Sequence, residues 1–328
     1  LDNKIIYGVD SEFDASRYPK DWSGGNMRKH DEGIISQYFD LQLRPFENLY
    51  STFGLRSDDH TTVGRKTSGR ITAAYLLDGN TKIRSSFGAG VRFPATYDYI
   101  YGSSTILDKG GTLEELQSER GLSFDLGYDT FLDNLNLGLN ITYFKTEQKN
   151  PLLSNARTLW VVQNADGRNT SEGIEFNTNW IPTNSKFGIN FGYTFTDSYD
   201  ANTCDPNELA AYDDNECRLY GSKVANAKVR VPRHAVETNI SYSVNRGLKS
   251  FLKGKYVGET RDFGNTNDSW TDQILTDYFV FDLVNNYNLF DKYKIQVGVN
   301  NILDEKYQHA HEYSTMGRTF NFGIRKVY

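Results

Sequence analysis

Two cysteines, two methionines, five histidines and seven prolines in 328 residues leave little of what many proteins use for chemistry or cross-linking. No apolar run approaches the roughly 18 residues of a spanning helix, so a helical membrane protein is excluded. Hydrophobic residues total 38%. The net charge of -6 gives no basic footprint for nucleic acid. No serine or cysteine sits in a nucleophile-elbow context and no catalytic constellation stands out, which argues against an enzyme. No cofactor is implied. The chain opens on Leu1-Asp2-Asn3-Lys4, without a signal peptide, and is expected to be a mature or truncated form.

Aromatic residues are abundant instead, with 22 tyrosines and 20 phenylalanines. They fall in period-2 segments. Leu135, Leu137, Leu139, Ile141 and Tyr143 oppose Asn136, Gly138, Asn140 and Thr142, and Phe187, Ile189, Phe191, Tyr193 and Phe195 oppose Gly188, Asn190, Gly192 and Thr194. Such alternation describes a strand with two different solvents, and each segment is long enough to cross a bilayer at a tilt. Apolar and polar residues then average to a low hydropathy, while extra aromatics serve as interfacial girdles. A soluble sandwich or propeller would need shorter strands and more proline-containing turns.

Short turns alternate with long polar segments along the chain. The turns are Pro45-Phe46-Glu47-Asn48, Asp78-Gly79-Asn80, Leu132-Asp133-Asn134, Pro182-Thr183-Asn184-Ser185, Asn245-Arg246-Gly247 and Phe290-Asp291-Lys292. Long loops are expected over 16–32, 93–119, 150–169, 199–231, 262–276 and 303–316, and 56–65 also reads as a connection. This rhythm is that of an outer-membrane barrel with short periplasmic turns and long outside loops. The reading is all-β: a transmembrane, antiparallel, up-and-down β-barrel with about 14 strands in this chain, all within one domain, 1–328.

The last segment carries the most specific pattern. Asn300-Asn301-Ile302-Leu303-Asp304-Glu305-Lys306-Tyr307 and Gly317-Arg318-Thr319-Phe320, followed by the terminal Tyr328, resemble the closing segment of TonB-dependent outer-membrane receptors. Gly88-Ala89-Gly90-Val91-Arg92-Phe93-Pro94, Glu119-Arg120-Gly121 with Leu126-Gly127-Tyr128, and Ser171-Glu172-Gly173-Ile174-Glu175 look like further strands of that family. Val231-Pro232-Arg233-His234, Tyr256-Val257-Gly258 and residues 313–320 look closest to cobalamin receptors, though siderophore receptors share much of them.

The resemblance implies a barrel of 22 strands, with an amino-terminal plug, a TonB box and about eight strands upstream of this chain. It implies a location in the bacterial outer membrane, contact with its lipid, partnership with the TonB complex, and active uptake of a scarce bulky nutrient, cobalamin-like or a ferric siderophore. It also makes Tyr328 the barrel-closing residue. A self-contained passive channel for hydrophobic or small polar solutes is the alternative, since fourteen strands can close alone.

Candidate ligand contacts are the large aromatics of the outside loops: Trp160, Trp270, Tyr97, Tyr99, Tyr101, Tyr212 and Tyr313. They offer flat amphipathic surfaces to a planar nutrient, or else belong to the interfacial girdle. Lys249, Lys253, Lys255, Arg261, Arg84, Arg92 and Arg325 are expected to face the lumen with Asp125, Asp129, Glu175, Glu237 and Glu259. The mixture of signs fits mutual pairing better than an anion path. His309 and His311 beside Glu312, and the acidic set Asp205, Glu208, Asp213, Asp214 and Glu216, read as solvated loop residues rather than metal ligands.

Cys204 and Cys217 enclose twelve residues of one polar segment and are expected to form a disulfide. A loop of that size corresponds to about 3 kcal/mol in the chain-entropy model. Thiol labelling of protein purified from outer membranes without reductant should therefore leave both residues unmodified, and free thiols at both would refute the bond.

Overall fold

The computed structural model describes residues 3–18, 28–96, 98–99, 116–153, 162–164, 167–199, 228–266, 269–290 and 292–326. The strands begin with β1 (Lys4–Tyr18), β2 (Arg28–Phe46), β3 (Leu49–His60), β4 (Gly64–Leu76), β5 (Thr81–Arg92), β6 (Glu119–Leu132) and β7 (Leu137–Lys149). After the small pair β8 (Leu152–Leu153) and β9 (Gln163–Asn164) come β10 (Arg168–Trp180), β11 (Phe187–Tyr199), β12 (His234–Ser243) and β13 (Leu248–Val257). A hairpin, β14 (Thr260–Thr266) and β15 (Ser269–Leu275), precedes β16 (Tyr278–Leu289) and β17 (Tyr293–Asn300). Another short pair, β18 (Gln308–Ala310) and β19 (Tyr313–Ser314), leads into β20 (Thr319–Lys326).

Fourteen of these strands form one sheet in chain order, and the three short pairs lie outside it. All six expected tight turns join consecutive strands at one end of the sheet. Left-handed backbone at Asn136, Asn184 and Phe290 closes three of them. No helix among the described residues is long and apolar enough to cross a membrane.

The registers show why the alternation matters. Ile83 opposes Tyr128, Tyr128 opposes Ile141, and Ile141 opposes Phe176. Farther along, Ile240 opposes Leu252, Leu252 opposes Leu283, and Leu283 opposes Val299, which opposes Phe320. A one-residue slip anywhere would turn a strand's apolar set inward, so the pattern fixes the pairing. This apolar face is turned outward: Phe53, Ile71, Ile141, Phe279 and Phe322 are all exposed. Among the described residues the buried hydrophobics are only Tyr99, Leu116, Val162, Leu275 and Tyr278. A protein that keeps so little apolar surface inside has lipid as the partner of its outer face.

Several strands run farther than their apolar pattern suggests. Within 16–32, expected as a loop, residues 16–18 lengthen β1 and residues 28–32 lengthen β2, with Ser16 paired to His30. Residues 56–65 extend β3 and β4 to the His60–Gly64 pair, leaving a three-residue turn. Much of 262–276 forms the β14–β15 hairpin. Crossing the bilayer takes about 9–11 residues, so strands of 15 and 19 residues project beyond it. Water then bathes both faces, the period-2 signal disappears, and charges take its place. Arg17 and Asp31 pair across β1 and β2, and Arg65 meets Asp59 at 3.0 Å across β3 and β4.

Ile141→Arg on the lipid face should cost about 2–4 kcal/mol, whereas Thr194→Arg on the inner face should cost far less. Denaturant unfolding in lipid vesicles checks this, and equal costs would contradict the assignment of faces.

Candidate functional site

The inner wall is built from the polar parity. Asn140 opposes Asn177, and Asn179 opposes Asn190, which opposes Asn239. Asn179 donates to Asn190 and Asn140 donates to Asp129, linking strands by side chains as well as backbone. Asp129 also takes Arg84 at 3.1 Å and Lys82 at 3.4 Å, while Arg70 meets Asp40 at 3.2 Å. Lys255 stands 3.9 Å from Glu237. Charges of opposite sign are thus neighbours, as the sequence pattern suggested.

The wall encloses a concavity of about 1000 Å³ whose lining includes Asn140, Asn190, Glu237, Lys253 and Lys255. Arg261 is a correction: it lies buried in the β14–β15 hairpin instead of on this wall.

Glycine makes room for one of the cross-wall links. Arg84 donates through Nη2 to Thr142 Oγ1 at 2.7 Å, passing over Gly127 on the intervening β6. A Cβ on Gly127 would lie 2.6 Å from Arg84 Cζ. The family-like Leu126-Gly127-Tyr128 segment therefore has a local reason for its glycine.

At the opposite end from the tight turns, connections are tied by buried polar groups. Glu119 is 3% exposed, accepts from Arg92 at 2.6 Å and caps Leu152 N at 2.7 Å. This bond pushes the Arg92 guanidinium pKa up from its ordinary value. Fully buried Asp262 accepts from Arg230 Nε at 2.9 Å and from His311 N at 2.6 Å. Asn301, in left-handed conformation, donates to Glu305 O at 2.8 Å and accepts from Glu305 N at 2.8 Å. Asp304 caps Arg318 N at 2.7 Å. A Cβ on Gly317 would come within 2.6 Å of Asp304 Oδ1, so the two carboxy-terminal sequence boxes form one folded connection.

The expected aromatic contacts separate. Tyr313 is 72% exposed. Trp270 lies in β15, paired with Asn265. Tyr99, expected as an exposed platform, is instead 1% exposed and stacks on His30 at 4.4 Å, because Leu116, Val162, Val63 and Leu152 gather around it. Tyr97, Tyr101, Trp160, Tyr212, Cys204, Cys217, Tyr328 and the acidic set 205–216 lie outside the described residues.

His309 is exposed, as expected, but lies in β18 rather than in a loop. Its Nδ1 is 3.1 Å from Tyr278 OH and its ring meets Tyr307 edge-on at 5.1 Å, forming an aromatic corner on the wall of the concavity. Tyr278 was not singled out in the sequence, although the outward parity of Phe279, Phe281 and Leu283 turns it inward. No group of three or more His, Cys, Asp or Glu among the described residues is arranged to hold a metal ion.

An antiparallel sheet that is apolar outside, hydrogen-bonded and mixed-sign inside, and tight-turned at one end is the wall of an outer-membrane β-barrel. More narrowly, the chain belongs to the TonB dependent receptor-like, beta-barrel family, whose model matches residues 3–302. That family consists of receptors and transporters of the bacterial outer membrane.

A probable TonB-dependent siderophore receptor, PirA of Acinetobacter baumannii, is 20% identical over 98% of this chain and 45% of its own length. The FrpB iron transporter of Neisseria meningitidis superposes with a TM-score of 0.73 at 13% identity, covering 98% of this chain and 52% of that one. The ferripyoverdine receptor of Pseudomonas aeruginosa, solved with ferripyoverdine, gives 0.70 at 14% identity over 98% and 45%. The chain thus spans about half the length of these relatives.

Gly127→Val should displace Arg84 and lower stability by about 1–3 kcal/mol. Because both changes act through one contact, Arg84→Ala combined with Gly127→Val should cost less than the sum of the single variants by about 1 kcal/mol. A double-mutant cycle by denaturant unfolding measures this, and strict additivity would break the link.

Proposed function

We propose that this chain is the membrane-spanning wall of a TonB-dependent receptor that imports a ferric siderophore. The observation that carries this reading is family membership over residues 3–302. The relatives named for siderophores or iron favour that substrate over a cobalamin-like one. The inner wall supports it physically, since a surface of asparagines and paired charges suits contact with a hydrated plug. The plug, TonB box and further strands of the receptor belong to the same proposal. An upstream gene segment encoding a plug and TonB box is required here and would be absent from a passive channel.

First contact with the ligand is assigned to the aromatic residues of the outside connections. Trp160, Trp270 and Tyr313 lead this group with Tyr97, Tyr101 and Tyr212, and Tyr99 can join them only when its segment lifts. Flat amphipathic rings bury large area while retaining a polar edge. Trp160→Ala or Trp270→Ala in the full-length receptor should weaken binding by about 1–2 kcal/mol. Equilibrium titration with a ferric siderophore and with cobalamin tests both parts. Unchanged affinity for whichever ligand the parent binds removes the aromatic platform, and binding of neither by the parent removes the substrate class.

A further inference from the structure

At the mouth of β1–β3, two carboxylates face each other across a ladder: Asp14 is the register partner of Glu32. Like charges in that position are destabilising unless something stands between them. Thr96, from the connection after β5, fills the gap, with Oγ1 2.8 Å from Asp14 Oδ2 and 2.9 Å from Glu32 Oε1. One hydroxyl carries one proton, so it serves only one carboxylate at a time. The other side of Glu32 faces two imidazoles: His30 Nε2 lies 3.3 Å from Oε2 and His60 Nε2 lies 3.4 Å from it.

His60 is the decisive residue. Its side chain is 1% exposed. Its Nδ1 accepts the backbone N–H groups of Thr62 at 3.1 Å and Val63 at 3.2 Å, closing the turn between β3 and β4. The ring proton is therefore on Nε2, toward Glu32 but without hydrogen-bond alignment. A metal ion at Nε2 would have to displace that proton and leave an imidazolate, which the two amide donors do not require. A second proton has only Nδ1 to occupy, and there it would meet both amide hydrogens. Protonation and the closed turn exclude each other.

The same ring stacks on Phe93 at 4.6 Å, and His30 stacks on Tyr99. Phe93, Thr96 and Tyr99 all belong to the connection after β5, so its start rests on these two imidazoles and Glu32. We propose that His60, with Glu32 and His30, forms a proton-operated catch that holds Phe93, Thr96 and Tyr99 at the mouth of β1–β3 at neutral pH and releases them on acidification.

The surrounding charges are compatible with this direction. On β3, Asp58 is engaged by Ser36 at 2.6 Å and Arg56 at 2.7 Å. In the connection, Asp98 caps Ala95 N at 2.8 Å and lies 3.8 Å from Arg92, whose main partner is Glu119. Glu32 and Asp14 remain as the carboxylates facing the rings. Burial pushes the His60 pKa down, with Glu32 opposing and His30 adding to the shift. A lowered folded value means that the neutral ring's contribution is fully present above the ordinary imidazole value of about 6.5 and is lost as pH falls through the folded value.

The test is amide hydrogen exchange at Thr62 and Val63 in the membrane-assembled receptor, corrected for the intrinsic pH dependence of exchange. Protection should fall by about tenfold or more between about pH 7.5 and about pH 5. His60→Asn places a carbonyl oxygen where Nδ1 accepts, without a titrating group, and should give protection that does not change with pH. Unchanged protection in the parent, or the same fall in H60N, overturns the proposal. Glu32→Gln provides a reading that does not depend on H60N assembling: loss of the carboxylate should move the parent's midpoint to lower pH, and an unmoved midpoint removes Glu32 from the catch.

Discussion

Everything in this molecule depends on the requirement that backbone N–H and C=O groups be paired before they enter lipid. Water cannot rescue an unpaired group there, and each one costs several kcal/mol. Fourteen strands paired in chain order meet that requirement locally, each bonded to its sequence neighbours in the sheet. The outer side chains are then free to be apolar and the inner ones polar. The membrane imposes the reversal of inside and outside, and the pleat of the strand carries it out.

That reversal shifts specificity onto polar chemistry. The wall is tied by asparagine pairs, by Arg84 reaching over Gly127 and by Asp129 serving two cations. Beyond the bilayer, where apolar burial is scarce, buried carboxylates hold the connections: Glu119 at one corner and Asp262 at another. Each is satisfied by donors from segments remote in sequence, so each specifies an arrangement that hydrophobic contact alone would leave loose.

Strand existence, order and facing were legible because alternation such as Leu137 to Tyr143 carries its own register, and tight turns such as Asp78-Gly79-Asn80 punctuate it. The overhanging strand ends were not legible. With water on both faces, Asp59 and Arg65 or Arg17 and Asp31 look like loop residues until their cross-strand pairing is seen. The burial of Tyr99 was not legible, because nothing local shows that Leu116 and Val162 will meet it. The imidazole cluster was equally hidden, since Thr96 and Asp14 are 82 positions apart and touch only because the connection after β5 reaches back to β1. The likeness to TonB-dependent receptors lay in the two boxes around Asn301 and Gly317, which fold into one connection.

Asp262 has a mechanical consequence. Its two oxygens grip Arg230, from the connection before β12, and His311, from the connection before β20, while its own backbone belongs to the hairpin between β13 and β16. Three excursions of the chain are thereby yoked at a point with no solvent access. A pull on any one of them must either stretch a charge-assisted bond or carry the other two along. This part of the rim is accordingly stiff toward small forces and yields as a unit toward large ones.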